Sequence, residues 1–156
     1  MSTASSDHSF GQIYQPTPGG LGKRAGARFI DWIVAGIVGA VLFWLLNRSG
    51  SVPGWLSILP GAGFGFLYFV GFEVVTGSTP GKKLLGLHVN GPDGASKPSL
   101  KDSAVRNGYM LLNLIPWIGG ALWFVAALSI AATIATSPTK RGWHDKLADG
   151  TQVIED

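Results

Sequence analysis

The feature that most constrains this chain is an apolar stretch close to its N-terminus. Residues 29–46 read FIDWIVAGIVGAVLFWLL, and Asp31 is the one charged residue among them. One residue added at each end gives a helix of about 30 Å, which matches the hydrocarbon core of a bilayer. The stretch therefore predicts a transmembrane helix over residues 28–47.

The composition is that of a chain with much of its surface away from water. Hydrophobic residues make up 46% of the 156 residues and charged residues 13%, whereas a soluble domain carries roughly 25% charged residues. The chain has no Cys, and its three His residues stand apart, which excludes disulfides and leaves no metal-ligand spacing. We therefore expect an all-α membrane protein of one domain, with no metal and no cofactor.

Polar segments set the bounds of the predicted domain. Residues 1–19 are rich in Ser, Gly and Pro and lack the basic start and apolar core of a signal peptide. They predict a disordered cytoplasmic tail, followed by a membrane domain over residues 20–154. A second membrane segment is predicted at about 55–76, with Glu73 as its one charge.

The polar loop after the second segment predicts short elements of its own. Thr79 and Pro80 can begin a short helix, and residues 87–90 form a short strand. Residues 151–154 can form another strand near the C-terminus. If both termini are cytoplasmic, the two strands lie on the same face and can pair, which gives a small cytoplasmic cap of strands and loops.

The last apolar region, residues 99–136, leaves two alternatives. Ser99 and Asp102 form a capping box, from which a helix can run to about residue 115 before a Pro- and Gly-containing interruption. The region is either a helical hairpin, giving four membrane segments, or a single kinked span over 109–136, giving three. The two segments of the hairpin are 99–115 and 118–136.

The basic residues favour the hairpin. With four segments both termini are cytoplasmic, and of the 12 Lys and Arg residues only Arg48 lies outside. With three segments, Lys140, Arg141 and Lys146 also lie outside. Basic residues concentrate on the cytoplasmic side of membrane proteins, so we expect a multi-pass protein with N- and C-termini in the cytoplasm.

Three motifs, in this order and separated by apolar stretches, resemble the RDD family of bacterial membrane proteins. They are RAGARFID at 24–31, TPGK at 79–82 followed by LGLHV at 85–89, and RGWHDKLADGTQV at 141–153. Family members tend to read Ala-Gly-Thr where this chain has Ala148-Asp149-Gly150-Thr151. The resemblance implies a compact helical domain in the bacterial plasma (inner) membrane. The Arg and two Asp for which the family is named fall on Arg24, Asp31 and Asp145.

Charged residues near the cytoplasmic boundary form the candidate site. Carboxylates such as Asp31 and Glu73 are costly in a membrane unless they are paired or wetted. Arg28 and Asp31 are spaced i, i+3 and can share one helix face. We interpret the group as an ion-pair cluster that docks the helices and loops, with a cation- or proton-binding site as the alternative. The candidate partners on this side are Arg24, Arg28, Lys82 and Arg106.

A second candidate site is the turn that contains Thr79, Lys82 and Lys83. It combines a helix N-terminus with lysines, which predicts a contact with the phosphate of an anionic lipid.

The functional expectation is a protein without catalysis. His144 and Asp145 could act as a base with its orienting carboxylate, but no Ser or Cys nucleophile motif accompanies them. No aromatic–basic motif indicates nucleic acid. The RDD resemblance implies either cation–proton exchange, to which some members are linked, or an accessory role in a larger system.

We expect an accessory or scaffold subunit of a membrane complex. The alternative is a small cation/proton transporter or antiporter of the Na⁺/H⁺ type. It would act as an oligomer, because a single chain with so few membrane spans does not enclose a pathway for ions. The expected partners are the lipid bilayer and either copies of the chain or a larger membrane complex.

Overall fold

The computed structural model of the chain describes residues 17–48 and 63–156. The predicted tail up to residue 16 and the first part of the predicted segment 55–76 lie outside these residues. The described helices are α1 Leu21–Asn47, α2 Phe64–Thr76, α3 Pro80–Leu84, α4 Leu100–Asn107, α5 Gly119–Thr136 and α6 Trp143–Leu147. Two 3₁₀ segments cover Pro92–Gly94 and Gly108–Leu114. The strands are β1 Thr17–Pro18, β2 Leu87–Asn90 and β3 Gln152–Glu155.

Two of the described helices, α1 and α5, are long and apolar enough to cross a membrane. Only 17% of the most apolar window of α1 and 22% of that of α5 is buried within the protein. The core helix of a soluble protein is buried instead, so these faces are suited to lipid or to a partner. The first helix begins at Leu21, seven residues before the predicted start, and α2 is a shorter apolar helix.

The chain turns back between the 3₁₀ segment and α5. Ile115 has extended backbone angles, as expected for a residue followed by a proline, Pro116. Gly119 then lies so close to the preceding segment that a Cβ atom on it would be 2.5 Å from the carbonyl oxygen of Leu112. In one continuous helix these residues would be about 10 Å apart along the axis. The arrangement is that of the hairpin alternative, and the crossing of the membrane by four segments stays a prediction.

Two predicted helix starts are confirmed. Thr79 caps α3 by accepting a hydrogen bond from the Lys82 amide, and Pro80 is its first residue. Ser99 and Asp102 form the predicted capping box at the start of α4. The helix ends at Asn107, however, and a 3₁₀ segment replaces the rest of the predicted 99–115 helix.

A three-stranded sheet joins three distant parts of the chain. The central strand β3 pairs antiparallel with both β1 and β2. Val89 lies opposite Val153, which confirms the predicted pairing, although β3 begins one residue later than predicted. Thr17 lies opposite Glu155, so residues 17 and 18 correct the predicted boundary of the tail. A strand of two residues carries too little periodicity to be recognised from sequence.

Two apolar clusters support these elements. The first packs α1 against the sheet and consists of Ala27, Leu87, Val89 and Val153. The second joins α1, α2 and the 3₁₀ segment and consists of Ala35, Tyr68, Phe69 and Met110.

Candidate functional site

Five charged side chains of alternating sign form one connected group, which we call the charged network. They come from five different helices, α3, α2, α4, α6 and α1. Taken in order of contact, the members of the network are Lys82, Glu73, Arg106, Asp145 and Arg24.

Glu73 is fully buried and has a partner for each carboxylate oxygen. Its Oε1 contacts Lys82 Nζ and lies 3.5 Å from Arg106 Nη2. Its Oε2 accepts hydrogen bonds from Ser103 Oγ at 2.9 Å and Asn107 Nδ2 at 3.0 Å. This one carboxylate therefore connects α2 to both α3 and α4.

Asp145 is the second buried carboxylate of the network. Its Oδ2 accepts hydrogen bonds from Arg24 Nη1 at 3.0 Å and from the Gly142 amide at 3.1 Å. Its Oδ1 lies 3.3 Å from both Arg106 Nε and His144 Nε2. Burial by itself would raise the pKa of Asp145, but its surroundings, above all the positive charge of Arg106, bring it below its ordinary value. Asp145 is therefore ionised at neutral pH.

Arg24 connects the network to the sheet. Its Nε donates to the carbonyl oxygen of Gly19 at 2.9 Å, and its Nη2 donates to that of Val153 at 3.3 Å. Together with the Asp145 contact, these bonds use all three nitrogens of the guanidinium. The first and last motifs are thereby joined across 121 positions of sequence.

The chain after Asp145 folds back onto it. The Gly150 amide donates to the Asp145 carbonyl oxygen at 3.1 Å. Asp149 and Gly150 both have positive φ, 52° and 85°, and Asp and Gly tolerate that conformation better than most residues. The departure from the family pattern at Asp149 is thus accommodated in the turn.

Asp31 is buried but does not belong to the charged network. Its Oδ1 accepts hydrogen bonds from the Gly81 amide at 2.8 Å and from Tyr68 Oη at 3.0 Å, and its Oδ2 accepts one from Thr79 Oγ1. No ion pair to Asp31 occurs within residues 17–48 and 63–156. Neutral donors of α2 and α3 therefore hold this carboxylate.

Close approach of α3 to α1 makes the Asp31 site possible. A Cβ atom on Gly81 would lie 2.3 Å from the carbonyl oxygen of Ala27 and 2.9 Å from Asp31 Cγ. Any side chain at this position would separate the two helices. Glycine in the Thr-Pro-Gly-Lys motif is thus required by packing.

Arg28 does not pair with Asp31 in the way that their i, i+3 spacing suggests. Its two terminal nitrogens lie 3.5 Å from Asn107 Oδ1, and its guanidinium stacks 3.9 Å from the ring centre of Phe69. Asp31 already accepts hydrogen bonds from donors of α2 and α3, so it does not need Arg28 as a partner. Arg28 is left without a carboxylate partner in the described part of the chain.

Two buried basic groups outside the apolar helices, Lys82 and His144, have depressed pKa values. Burial lowers the pKa of Lys82 to about 8, against the opposing effect of Glu73. Burial, together with the charges of the nearby arginines, lowers the pKa of His144 to about 3, against the opposing effect of Asp145. His144 is therefore neutral at physiological pH.

The predicted lipid-phosphate residues have different surroundings. Thr79 and Lys82 are buried and bind Asp31 and Glu73, whereas Lys83 is exposed. A lipid contact at Lys83 stays a prediction.

The polar groups that sequence reasoning missed are neutral donors. Ser103 and Asn107 lie on the same face of α4 as Arg106, at the i, i+3 and i, i+4 spacings that would have indicated a shared polar surface. Tyr68 has no comparable signal, because it lies in an uninterrupted apolar segment. Among the described residues, no group of three His, Cys, Asp or Glu side chains could hold a metal ion.

Two apolar helices of membrane-spanning length, α1 and α5, indicate a helical membrane protein. The charged network joins α1 to the four shorter helices α2, α3, α4 and α6. The chain belongs to the RDD family, whose family model matches residues 18–149. The match includes Arg24, Asp31 and Asp145, the three positions expected to correspond to the family name. No curated protein and no solved structure matches the chain.

Proposed function

We propose that this RDD-family protein is a non-catalytic accessory or scaffold subunit of a membrane complex. The observation that supports this most is that Glu73 and Asp145 find their cationic partners inside the chain, so that the network joins five different helices. Removal of one member of a buried ion pair is strongly destabilising. The network is therefore suited to hold the helices in one arrangement.

The outward faces of α1 and α5 offer a surface for a partner. Ile37 and Trp44 on α1 and Phe124 and Val125 on α5 are exposed. Helices associate in membranes through close packing of such faces rather than through exclusion of water. A scaffold that keeps α1 and α5 fixed would present these faces to another membrane protein.

We also propose that both termini are cytoplasmic. The strand β1 precedes α1, β2 lies between α2 and α4, and β3 follows α6. One sheet contains all three strands, which supports an even number of crossings between successive strands. A reporter fused after Asp156 should then give a cytoplasmic signal, and an extracytoplasmic signal would contradict the proposal.

The accessory role is tested by crosslinking in native membranes. A photoreactive amino acid at Ile37 or Val125 should capture a stoichiometric membrane partner, which mass spectrometry identifies. The same group in place of Lys101, an exposed side chain at the start of α4, serves as the control and should capture none. A homo-oligomer with no other partner would contradict the accessory role.

Asp31 favours a second candidate, a small cation or proton transporter that acts as an oligomer. An intramembrane carboxylate is a pointer to ion handling, and no ion pair neutralises Asp31 in the described part of the chain. Against this candidate, three donors already occupy the carboxylate.

Vesicles with an imposed Na⁺ or proton gradient separate the two candidates. Flux no greater than that of empty vesicles would exclude transport. Flux that disappears in Asp31→Asn, while the variant keeps its fold and oligomeric state, would contradict the scaffold proposal.

A further inference from the structure

A cavity of about 350 Å³ lies between α1 and α5, with contributions from α4 and α6. Its size falls within the range of about 300–1,000 Å³ that is usual for small-molecule sites. Its lining has a basic part and an apolar part. The basic part includes Arg24, Arg28, Lys82 and Arg106, with His144 beside them. The apolar part includes Phe29, Trp32, Trp123 and Ala131.

Positive charge exceeds negative charge around this cavity. None of the described Asp and Glu residues lines it. The four basic residues of the lining have two carboxylate partners, Glu73 and Asp145. Arg28 contacts Asn107 and the ring of Phe69 instead. A surplus of cations in a partly buried site is stabilised by an added anion.

Arg106 has hydrogen-bonding capacity that the protein leaves unused. Its side chain is 2% exposed, and its buried Nη1 has no hydrogen-bond partner. Its Nη2 and Nε lie 3.5 and 3.3 Å from Glu73 and Asp145. Buried donors are nearly always paired, because an unpaired one has lost its bond to water. An anion oxygen in the cavity would supply the missing partner, and guanidinium groups bind phosphate well.

The other end of the cavity reaches the surface that faces lipid. Phe29 lines the cavity and is 68% exposed on the apolar face of α1. Trp32 and Trp123 meet edge to face, with ring centres 6.1 Å apart. A ligand that fits both ends carries an anionic group at one end and an apolar chain at the other.

We infer that this cavity binds the phosphate group of an anionic membrane lipid, with Arg28 and Arg106 donating to the phosphate oxygens and Trp32 and Trp123 covering the start of the acyl chain. The binding is independent of whether the protein is an accessory subunit. It shares Lys82 with the lipid contact predicted at α3 but differs from it otherwise, because Thr79 and Lys83 do not line this cavity.

Lipid binding to the purified full-length protein in an uncharged detergent tests the inference. Native mass spectrometry compares phosphatidylglycerol with phosphatidylcholine of the same chain length. Phosphatidylcholine carries the same phosphate, but its choline adds a positive charge close to the basic residues of the cavity. We therefore expect the anionic lipid to bind about tenfold more tightly. Arg28→Gln should remove that preference, whereas Lys146→Gln, which removes an exposed cation of α6 outside the cavity, should keep it. Equal binding of the two lipids to the unsubstituted protein, or equal losses in both variants, would overturn the inference.

A second pair of variants tests the apolar end without a change of charge. Ala131→Leu fills part of the cavity and should weaken binding of the anionic lipid, whereas Ala121→Leu, at an exposed position on α5 outside the cavity, should not. Inorganic phosphate separates the free anion from the lipid. If phosphate displaced phosphatidylglycerol at equal concentration, the site would be one for the free anion and the assignment to lipid would be overturned.

Discussion

Asp31 and Glu73 are both fully buried carboxylates on apolar helices, but they are stabilised in different ways. Asp31 accepts hydrogen bonds from two hydroxyls and a backbone amide. Glu73 contacts two cations as well as two neutral donors. Because Glu73 neutralises other buried charges and Asp31 does not, loss of the negative charge should have different consequences at the two positions.

The largest effect should follow from Arg106→Met, which removes a cation shared by Glu73 and Asp145. Both carboxylates stay buried with fewer partners, so we expect a loss of about 3–5 kcal/mol in the free energy of unfolding. Denaturant unfolding in detergent measures it. Lys101→Met, which breaks the exposed pair with Asp149, is the control and should change little. A loss as small as that of the control would mean that the network is not what stabilises the fold.

The comparison of the two carboxylates is tested directly by Glu73→Gln and Asp31→Asn. Glu73→Gln leaves Lys82 without its acidic partner and should cost about 3 kcal/mol. Asp31→Asn keeps an acceptor for the Gly81 amide and should cost about 1 kcal/mol. Unfolding of the two variants under the same conditions gives the difference, and equal losses would refute the distinction.

The Asp31 site can also be disturbed through the backbone. Gly81→Ala places a methyl group 2.3 Å from the Ala27 carbonyl oxygen and should force α3 from α1, at a cost of about 2 kcal/mol. Gly36→Ala, at a position of α1 with no neighbour within 4 Å, is the matched control. It should be neutral or slightly stabilising because alanine favours helices. A neutral Gly81→Ala would show that α3 does not pack against α1 as described.

The most gradual effect is a pH dependence that arises from His144, which lies beside the ion-paired Asp145. The pKa of His144 is about 3 in the folded protein, against an ordinary 6.5, so between these values the unfolded chain binds a proton that the folded protein does not. Stability should therefore fall as the pH is lowered from 6.5, by up to about 1.4 kcal/mol per pH unit. The pKa of Asp145 is lowered from 3.8, so its contribution is lost only at more acidic pH.

Thermal unfolding between pH 6.5 and 4.5 measures the contribution of His144. His144→Gln should flatten the dependence, because its side chain does not titrate. An unchanged slope in this variant would assign the effect to another group.

Much of the fold could be predicted because it depends on local patterns. The apolar stretches of α1 and α5, the cap at Ser99 and the strand at residues 87–90 each follow from hydropathy, capping or alternation within a few neighbouring residues. The pairing of β2 with β3 was predicted because the distribution of basic residues favours both termini on the cytoplasmic side, which places the two strands on the same face of the membrane. The 3₁₀ segment after α4 could not be predicted in this way, because its hydropathy is compatible with a continued helix.

The amino-acid sequence by itself determined the class of protein, the two long apolar helices and the charged residues that matter. Only the tertiary structure decided which of these residues are partners. Asp31 finds its donors 37 to 50 residues away, on α2 and α3, and Arg24 reaches Asp145 across 121 residues. Such choices depend on how closely helices approach, as Gly81 shows for α3 and α1. Packing thus assigned the neutral donors to Asp31 and the cations to Glu73 and Asp145.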